Sequence, residues 1–323
     1  MLRDILPSFS VVLSPMEAVT NPPFRKICKR YGADVLISEF ISSEALVRKI
    51  DSSCRKMCFG EEEHPIGIQI FGNTESSLRE AAEYAAGTGC DFIDINWGCP
   101  VRKIAGKGCG SGILNDIPKM VALTKSVVDT VSLPVTVKTR LGYSDEDKPI
   151  VDVAERLQDV GIEAISIHGR TRSQMYKGKA DWTLIKEVKD NPRMKIMVFG
   201  NGDIDSAEKL VEYKKRYNVD GILIGRAAMG NPFIFRQCKQ LLRGEEKSDT
   251  TIRERVAVCR EHIAGLKSYR GDRYALLEMR KFYGGYFFGL GNFKPYRIRL
   301  VTADSYEQVE EILSDIEEHY FED

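Results

Sequence analysis

Cys99 stands between two chain breakers, Gly98 and Pro100, directly after an apolar run that includes Phe92, Ile93 and Ile95. Proline has no amide hydrogen for a sheet ladder, so a strand arriving there stops and leaves the thiol at its carboxyl end. Arg102, Lys103 and Lys107 follow, separated by Gly106, Gly108, Gly110 and Gly112. A thiol at a strand end beside a mobile basic loop reads as a reactive centre; a buried cysteine next to a turn is the equally weighted plain alternative. Lys138 follows Val135 and Val137, and a buried lysine needs a partner. His168 closes the run of Ile165 and Ile167, and together with Lys138 it suits an anionic or carbonyl-rich ring. Gly200-Asn201-Gly202-Asp203 and Gly225-Arg226 each precede a helical stretch. Glycines let backbone amides approach an anion, and a helix amino terminus favours negative charge, so these two turns suit a phosphate. His64, His262 and His319 read as surface or packing residues.

These residues need a scaffold that gathers strand ends. Eight short apolar runs recur at fairly even intervals: 11–15, 35–39, 66–71, 92–96, 135–140, 164–168, 195–199 and 221–225. Helical periodicity fills the gaps, for example over 75–86, 151–160, 206–217 and 227–242. Strand and helix alternating eight times predict a (β/α)8 TIM barrel of α/β class, with an open doubly wound sheet as the structural rival. The carboxyl ends in order carry Pro15-Met16-Glu17, Ser38-Glu39, Gln69, Asn96 with Cys99, Lys138 with Arg140, His168-Gly169-Arg170, Asn201-Gly202-Asp203 and Gly225-Arg226. So many polar groups converging on one mouth would cost free energy unless paired, which points to a ligand on that face.

After Arg243 the pattern changes. Gly244–Asp249 reads as a polar linker, and helical periodicity continues through 253–269, 274–287 and 305–320. The division expected is a barrel over 1–243 and an all-helical domain over 244–323. From Arg253 to Arg299 eleven Lys and Arg face four Asp and Glu, whereas positions 304–323 hold nine acids and no base. The basic section interleaves Tyr269, Tyr274, Phe282, Tyr283, Tyr286 and Tyr296, a combination that suits phosphate contacts with stacking; a solvated helix face is the default alternative.

Formal charge over the 323 residues is zero, so no global basic field announces nucleic acid. The amino terminus lacks the pattern of a signal peptide, and no apolar run approaches the roughly 18 residues that span a membrane. Eight cysteines are too sparse for a disulfide scaffold. Cys54 and Cys58 with His64 come nearest to a zinc set, yet no metal is expected. The composition fits a reduced, cytoplasmic protein, and nothing in it demands a membrane or an obligate protein partner.

Taken together, the motifs resemble the tRNA-dihydrouridine synthase family over nearly the whole chain. The resemblance rests on Ile93-Asp94-Ile95-Asn96-Trp97-Gly98-Cys99-Pro100, then Lys103 and Gly108-Cys109-Gly110-Ser111-Gly112. Ser14-Pro15-Met16-Glu17 with Pro23-Phe24-Arg25, Gln69, and Val137-Lys138-Thr139-Arg140 stand around it. His168-Gly169-Arg170-Thr171-Arg172 with Tyr176, Gly178 and Ala180-Asp181-Trp182, then Asn201-Gly202-Asp203-Ile204, Gly225-Arg226-Ala227-Ala228 and Met279-Arg280-Lys281, complete it. The resemblance implies an FMN barrel reduced by NADPH, acting on tRNA through a helical tRNA-binding tail. It implies that Pro15, Met16, Glu17 and Gln69 line the isoalloxazine, and that Lys138 and His168 contact the flavin. Asn201, Gly202, Asp203, Gly225 and Arg226 would hold the ribityl phosphate. Cys99 would be the general acid and Asn96 would orient the uracil, with Arg102, Lys103, Arg170, Arg280 and Lys281 serving the tRNA. Phe282 stands where many relatives have histidine, and Ser14 and Glu17 differ from other subgroups. Two rivals are a flavin barrel acting on free pyrimidines, of the dihydroorotate dehydrogenase kind, and a tRNA-binding module without catalysis.

Overall fold

The computed structural model describes residues 1–321. Its strands are β1 (Ser10–Leu13), β2 (Leu36–Ile37), β3 (Ile41–Ser42), β4 (Ile66–Phe71), β5 (Phe92–Asn96), β6 (Val135–Arg140), β7 (Ala164–His168), β8 (Met197–Asn201) and β9 (Gly221–Ile224). All pairings are parallel, in the order β1-β9-β8-β7-β6-β5-β4-β2, with β3 also on β4. A bridge between Val12 and Val35 brings β1 to β2 and closes the ring. This is the TIM barrel that the even spacing predicts.

Two details differ from the sequence reading. The second run breaks at Ser38–Phe40 into two short strands, because Ser38 turns its hydroxyl onto the amide of Gln69 (2.9 Å) and the carbonyl of Glu39 (2.9 Å). The seventh run lies two residues later than predicted. Its final Asn201 stays in register with His168 and Leu223, so a residue that looked like a loop belongs to the ladder.

Side chains alternate along each strand, so residues two apart share a face. Val12, Phe92, Ala164, Met197, Phe199 and Leu223 form one buried cluster, which Leu2 and Leu6 from the amino-terminal segment join. Two residues further along the same faces stand Asp94 and then Asn96, Ser166 and then His168, and Asn201. The interior is therefore apolar at the amino end of the strands and polar toward the carboxyl end. That gradient places the chemistry.

No strand follows Ile224 among the described residues, and the tail is helical. The predicted 274–287 helix is instead Asp272–Met279 and Tyr283–Tyr286, and a further helix, Lys294–Thr302, was not evident in the periodicity. Gly285 lies in the second of these. A Cβ there would lie 1.8 Å from the carbonyl oxygen of Met229, so only glycine lets this turn press on the barrel. Helix Ile252–Arg270 packs on helix Pro22–Arg30 through His262, which stacks on Phe24 (5.2 Å between centroids) and abuts Phe282 (4.6 Å). His262 Nδ1 and the Tyr286 hydroxyl lie 3.0 Å apart, and burial, helped by Lys281, pushes the imidazole down to about 3. It is a neutral packing residue.

The acidic end meets the basic section within the fold. Arg260 pairs with Glu310 (2.9 Å) and Glu317 (2.8 Å), and Arg299 with Asp315 (2.6 Å). Positions 322 and 323 of the acidic run lie outside the described residues. Arg280, Lys294 and Arg297 remain exposed and hold no salt bridge among the described residues.

Candidate active site

Cys99 is held from both sides of its peptide. The Asn96 side-chain oxygen accepts from the amides of Gly98 (3.0 Å) and Cys99 (2.9 Å). The Cys99 carbonyl accepts from the Ser111 amide (3.0 Å) and hydroxyl (2.8 Å). The thiol is buried, and burial raises its pKa against the smaller opposing pull of the Val101 amide and of Arg140 and Lys138. The sulfur therefore stays protonated at neutral pH, which is the state of a proton donor and not of a nucleophile. The following loop is folded: helix Arg102–Ala105 and a 3-10 turn, Gly110–Asn115, occupy it, and Asn73 grips the Lys107 carbonyl (2.6 Å). Arg102 and Lys103 lie exposed on its outside.

Strand register sets Lys138 beside Asn96, Arg140 beside His168, and His168 beside Asn201. Lys138 Nζ donates to Asn201 Oδ1 (3.2 Å), while Asn201 Nδ2 donates to the Leu223 carbonyl (3.0 Å). Burial first, then Arg140, pulls Lys138 down to about 8. The same causes hold His168 well below the ordinary histidine value, so its ring is neutral. His168 Nδ1 is buried with no hydrogen-bond partner among the described residues. An orphaned ring nitrogen beside a half-buried cation calls for a polar ligand.

Directly after β8, Gly202 and Asp203 both adopt positive φ, 124° and 54°. A Cβ at Gly202 would come within 2.7 Å of the Ala180 Cβ. Burial alone would raise Asp203, but the Ala180 amide, Arg170 and Arg226 together lower it. Arg226 is 59% exposed, reaches Asp203 at 3.3 Å and lies over the Tyr176 ring, 5.3 Å from its centroid. Gly225 adjoins Met16, whose sulfur would be 3.6 Å from an added Cβ, so the loop after β1 borders this end. Pro15 and Met16 are half-buried there. Glu17 is exposed and pairs with Lys56 (2.5 Å).

Two residues expected to serve the tRNA are engaged within the fold. Arg170 is 2% exposed and donates to Asp203 (2.7 Å) and the carbonyls of Lys177 (3.1 Å) and Gly178 (2.6 Å). It supports the loop that carries Asp203. Lys281 is engaged as well, donating to the Ala18 carbonyl (2.8 Å) and Glu278 (2.7 Å), and so ties the tail to the loop after β1. Arg280 next to it is exposed. Conversely, the site contains two residues that the sequence set among the strand ends and motifs without a site role. Arg140 donates to the Gly98 carbonyl (2.7 Å) and to those of Thr171 (3.0 Å) and Met175 (2.9 Å), with burial pulling it down to about 10. Tyr176 lies between the guanidinium groups of Arg140 (5.9 Å) and Arg226 (5.3 Å). A half-exposed tyrosine shared by two arginines was detectable only once the loop was folded.

The mouth of the barrel thus combines a neutral buried thiol, a half-buried lysine and orphaned imidazole, and an arginine beside glycine turns. A sequence model described as dihydrouridine synthase matches residues 12–321. A "tRNA-dihydrouridine synthase B" of Pseudomonas aeruginosa is 36% identical over 288 residues, covering 89% of this chain and 86% of its own. Another of that name from Pseudomonas putida is 37% identical over 292 residues, covering 90% and 86%. Among solved structures, histamine dehydrogenase from a Rhizobium species superposes with a TM-score of 0.53 at 12% identity, covering 80% of this chain and 49% of that one. Morphinone reductase in complex with tetrahydroNAD gives 0.50 at 12% identity, covering 74% and 88%. These two likenesses speak for the barrel alone. With a match from residue 12 to residue 321 and relatives above one-third identity, the chain belongs to the dihydrouridine synthase family of oxidoreductases.

Proposed function

We propose that this protein reduces the C5–C6 double bond of uridines in tRNA to 5,6-dihydrouridine, with FMN as resident cofactor, NADPH as reductant and Cys99 as proton donor. The reading rests above all on Cys99, a thiol kept neutral by burial at a barrel strand end. The residues fit FMN. Lys138 and His168 offer a half-buried cation and an unpaired ring nitrogen to a carbonyl-rich ring, while Asn201, Gly202, Asp203, Gly225 and Arg226 would frame a phosphate. When bound, FMN supplies the hydride for C6 of the uracil. Cys99 then delivers a proton to C5 from the other ring face, so that the negative charge built up toward the C4 carbonyl is discharged. Asn96 keeps one side-chain amide hydrogen for a uracil carbonyl, the other being given to Gln69. Arg140 holds the Gly98 carbonyl and so steadies the loop bearing the donor. A reduced, cytoplasmic setting suits a free thiol with this task, and no helix among the described residues is long and apolar enough to cross a membrane.

Lys138 gives this reading a pH dependence. Its folded pKa of about 8 lies below the ordinary lysine value, so it is charged below that pH and neutral above it. FMN affinity of the apoprotein is therefore expected to weaken several-fold as pH rises through about 8, and Lys138→Met to flatten the profile. Quenching of FMN fluorescence measures this; identical profiles for both proteins would remove Lys138 from the flavin contacts.

A base inside folded tRNA must be turned out of its stack, at a cost of a few kcal/mol. Exposed cations near the mouth and on the tail would offset it through phosphate contacts. Arg280, Lys294 and Arg297 are free to serve. Replacing all three by alanine is expected to weaken tRNA binding and to lower the salt slope of log K by about one per lost contact. An unchanged slope would move the RNA surface elsewhere. Surface variants are the right test, because the tail shares a core with the barrel and its removal would strip Phe24 of His262 and Phe282.

A further inference from the structure

We propose that Asp94 is a positioning residue that fixes the hydrogen-bond direction of a buried relay ending at Cys99. The relay is continuous. Thr136 donates its hydroxyl to Asp94 Oδ1 (2.5 Å), and Gln69 Nε2 donates to Asp94 Oδ2 (2.6 Å). Asn96 Nδ2 donates to Gln69 Oε1 (2.8 Å), and Asn96 Oδ1 accepts from the amides of Gly98 and Cys99 (3.0 and 2.9 Å). Asp94 and Gln69 are buried, at 1% and 0% exposure, so water cannot substitute for a missing partner.

Direction is the point. A carboxamide can turn over with little change of shape, exchanging its donor for its acceptor. Two such groups in series could therefore run either way. At the far end the peptide amides of Gly98 and Cys99 can only donate. At the near end an ionised carboxylate can only accept, and both neighbours of Asp94 present it with donors. Only one orientation of Gln69 and Asn96 satisfies both ends. The alternative would set Asn96 Nδ2 against two backbone N–H groups and free the turn that carries the thiol. Burial raises the Asp94 pKa overall, against the hydrogen bonds of Thr136 and Gln69 and the charge of Lys138; its acceptor role rests on the geometry, each carboxylate oxygen facing a donor.

The catalytic consequence rests on the reading of Cys99 as proton donor, whereas the geometric claim can be tested without it. In Asp94→Asn either end of the new amide can face Gln69, with the Thr136 hydroxyl serving as donor or acceptor, so the near end no longer enforces the direction and only the two peptide amides hold it. In Asp94→Asn combined with Gln69→Glu, the carboxylate now at position 69 accepts from the carboxamide at position 94 and from Asn96, and the direction is fixed again. The measurement is the rate at which iodoacetamide modifies Cys99 in the flavin-free protein, read by mass spectrometry of the Cys99 peptide, with the buried Cys28 and Cys238 as internal controls. Single-turnover saturation of uridine accompanies it.

The expected result is alkylation of Cys99 about fivefold faster in Asp94→Asn, with Cys28 and Cys238 unchanged, and uridine saturation slower by a similar factor. The double variant is expected to return alkylation to the wild-type rate, a recovery that loosened packing would not give. Asp94→Asn with wild-type alkylation, or a double variant that does not regain the wild-type rate, overturns the relay. Should Asp94→Asn not fold, the double variant alone decides. If Cys99→Ala still saturates uridine, the proton-donor reading fails while the alkylation comparison continues to judge the relay.

Discussion

Replacing Cys99 with alanine is expected to slow saturation of uridine by about 10²–10⁴-fold, the range that a positioned general acid contributes. Flavin reduction by NADPH should proceed as before, since it needs no proton from this thiol. The separation follows from the site. Lys138, His168 and Arg226 stand at the ends of β6, β7 and β9, whereas Cys99 sits on the turn after β5, held by Asn96 and Ser111. Removing the sulfur leaves both of those backbone contacts in place. Stopped-flow absorbance resolves the two half-reactions: the reductive one should match wild type and the oxidative one with tRNA should stall. Cys99→Ser should lie between, because a hydroxyl can reach the same place but gives up its proton less readily. Equal oxidative rates in all three proteins would exclude Cys99 from the chemistry. The wild-type oxidative rate should also decline only above pH 9. The thiol pKa is raised from that value, so the donor form is complete below it and is lost only on the alkaline side.

The second large effect concerns stability. Arg25 and Glu63 form an ion pair at 2.7 Å with both side chains fully buried. Arg25 also donates to the carbonyls of Thr20 (2.9 Å) and Cys58 (2.7 Å), and Glu63 accepts from the Gly60 amide (3.0 Å). This one guanidinium joins the segment before β4 to the start of helix Pro22–Arg30, just beyond the loop carrying Met16 and Glu17. Glu63→Ala strands a buried positive charge and is expected to lower the unfolding free energy by about 3–5 kcal/mol. Urea titration followed by circular dichroism measures it. A wild-type midpoint would mean that water or another carboxylate reaches Arg25. Exposed pairs such as Arg30–Glu261 should each matter by no more than about 1 kcal/mol.

What was legible in the sequence was local. Each barrel strand announces itself as a short apolar run, and Gly98 and Pro100 mark where the strand before Cys99 stops. The lysine, histidine and glycine turns at successive strand ends needed only the barrel hypothesis to converge. What was hidden depends on partners distant in sequence. Arg170 reads as a tRNA contact, and its pairing with Asp203, 33 residues on, is not visible in the sequence. Lys281 looks free until the Ala18 carbonyl, 263 residues away, is set against it. Asp94 reads as one polar residue in a buried strand, and its link to Cys99 through Gln69 appears only when β4 and β5 are side by side. The need for glycine at position 285 was likewise invisible, since it answers to Met229 on the barrel.

The most direct test of the whole account uses bulk tRNA from cells lacking this protein. The purified protein, FMN and NADPH are added, and the digested nucleosides are examined by mass spectrometry. Dihydrouridine should appear, at defined positions, with wild-type protein and not with Cys99→Ala. Failure of flavin-loaded, NADPH-reduced wild-type protein to form dihydrouridine in that tRNA, or efficient reduction of free uracil in its place, would contradict it.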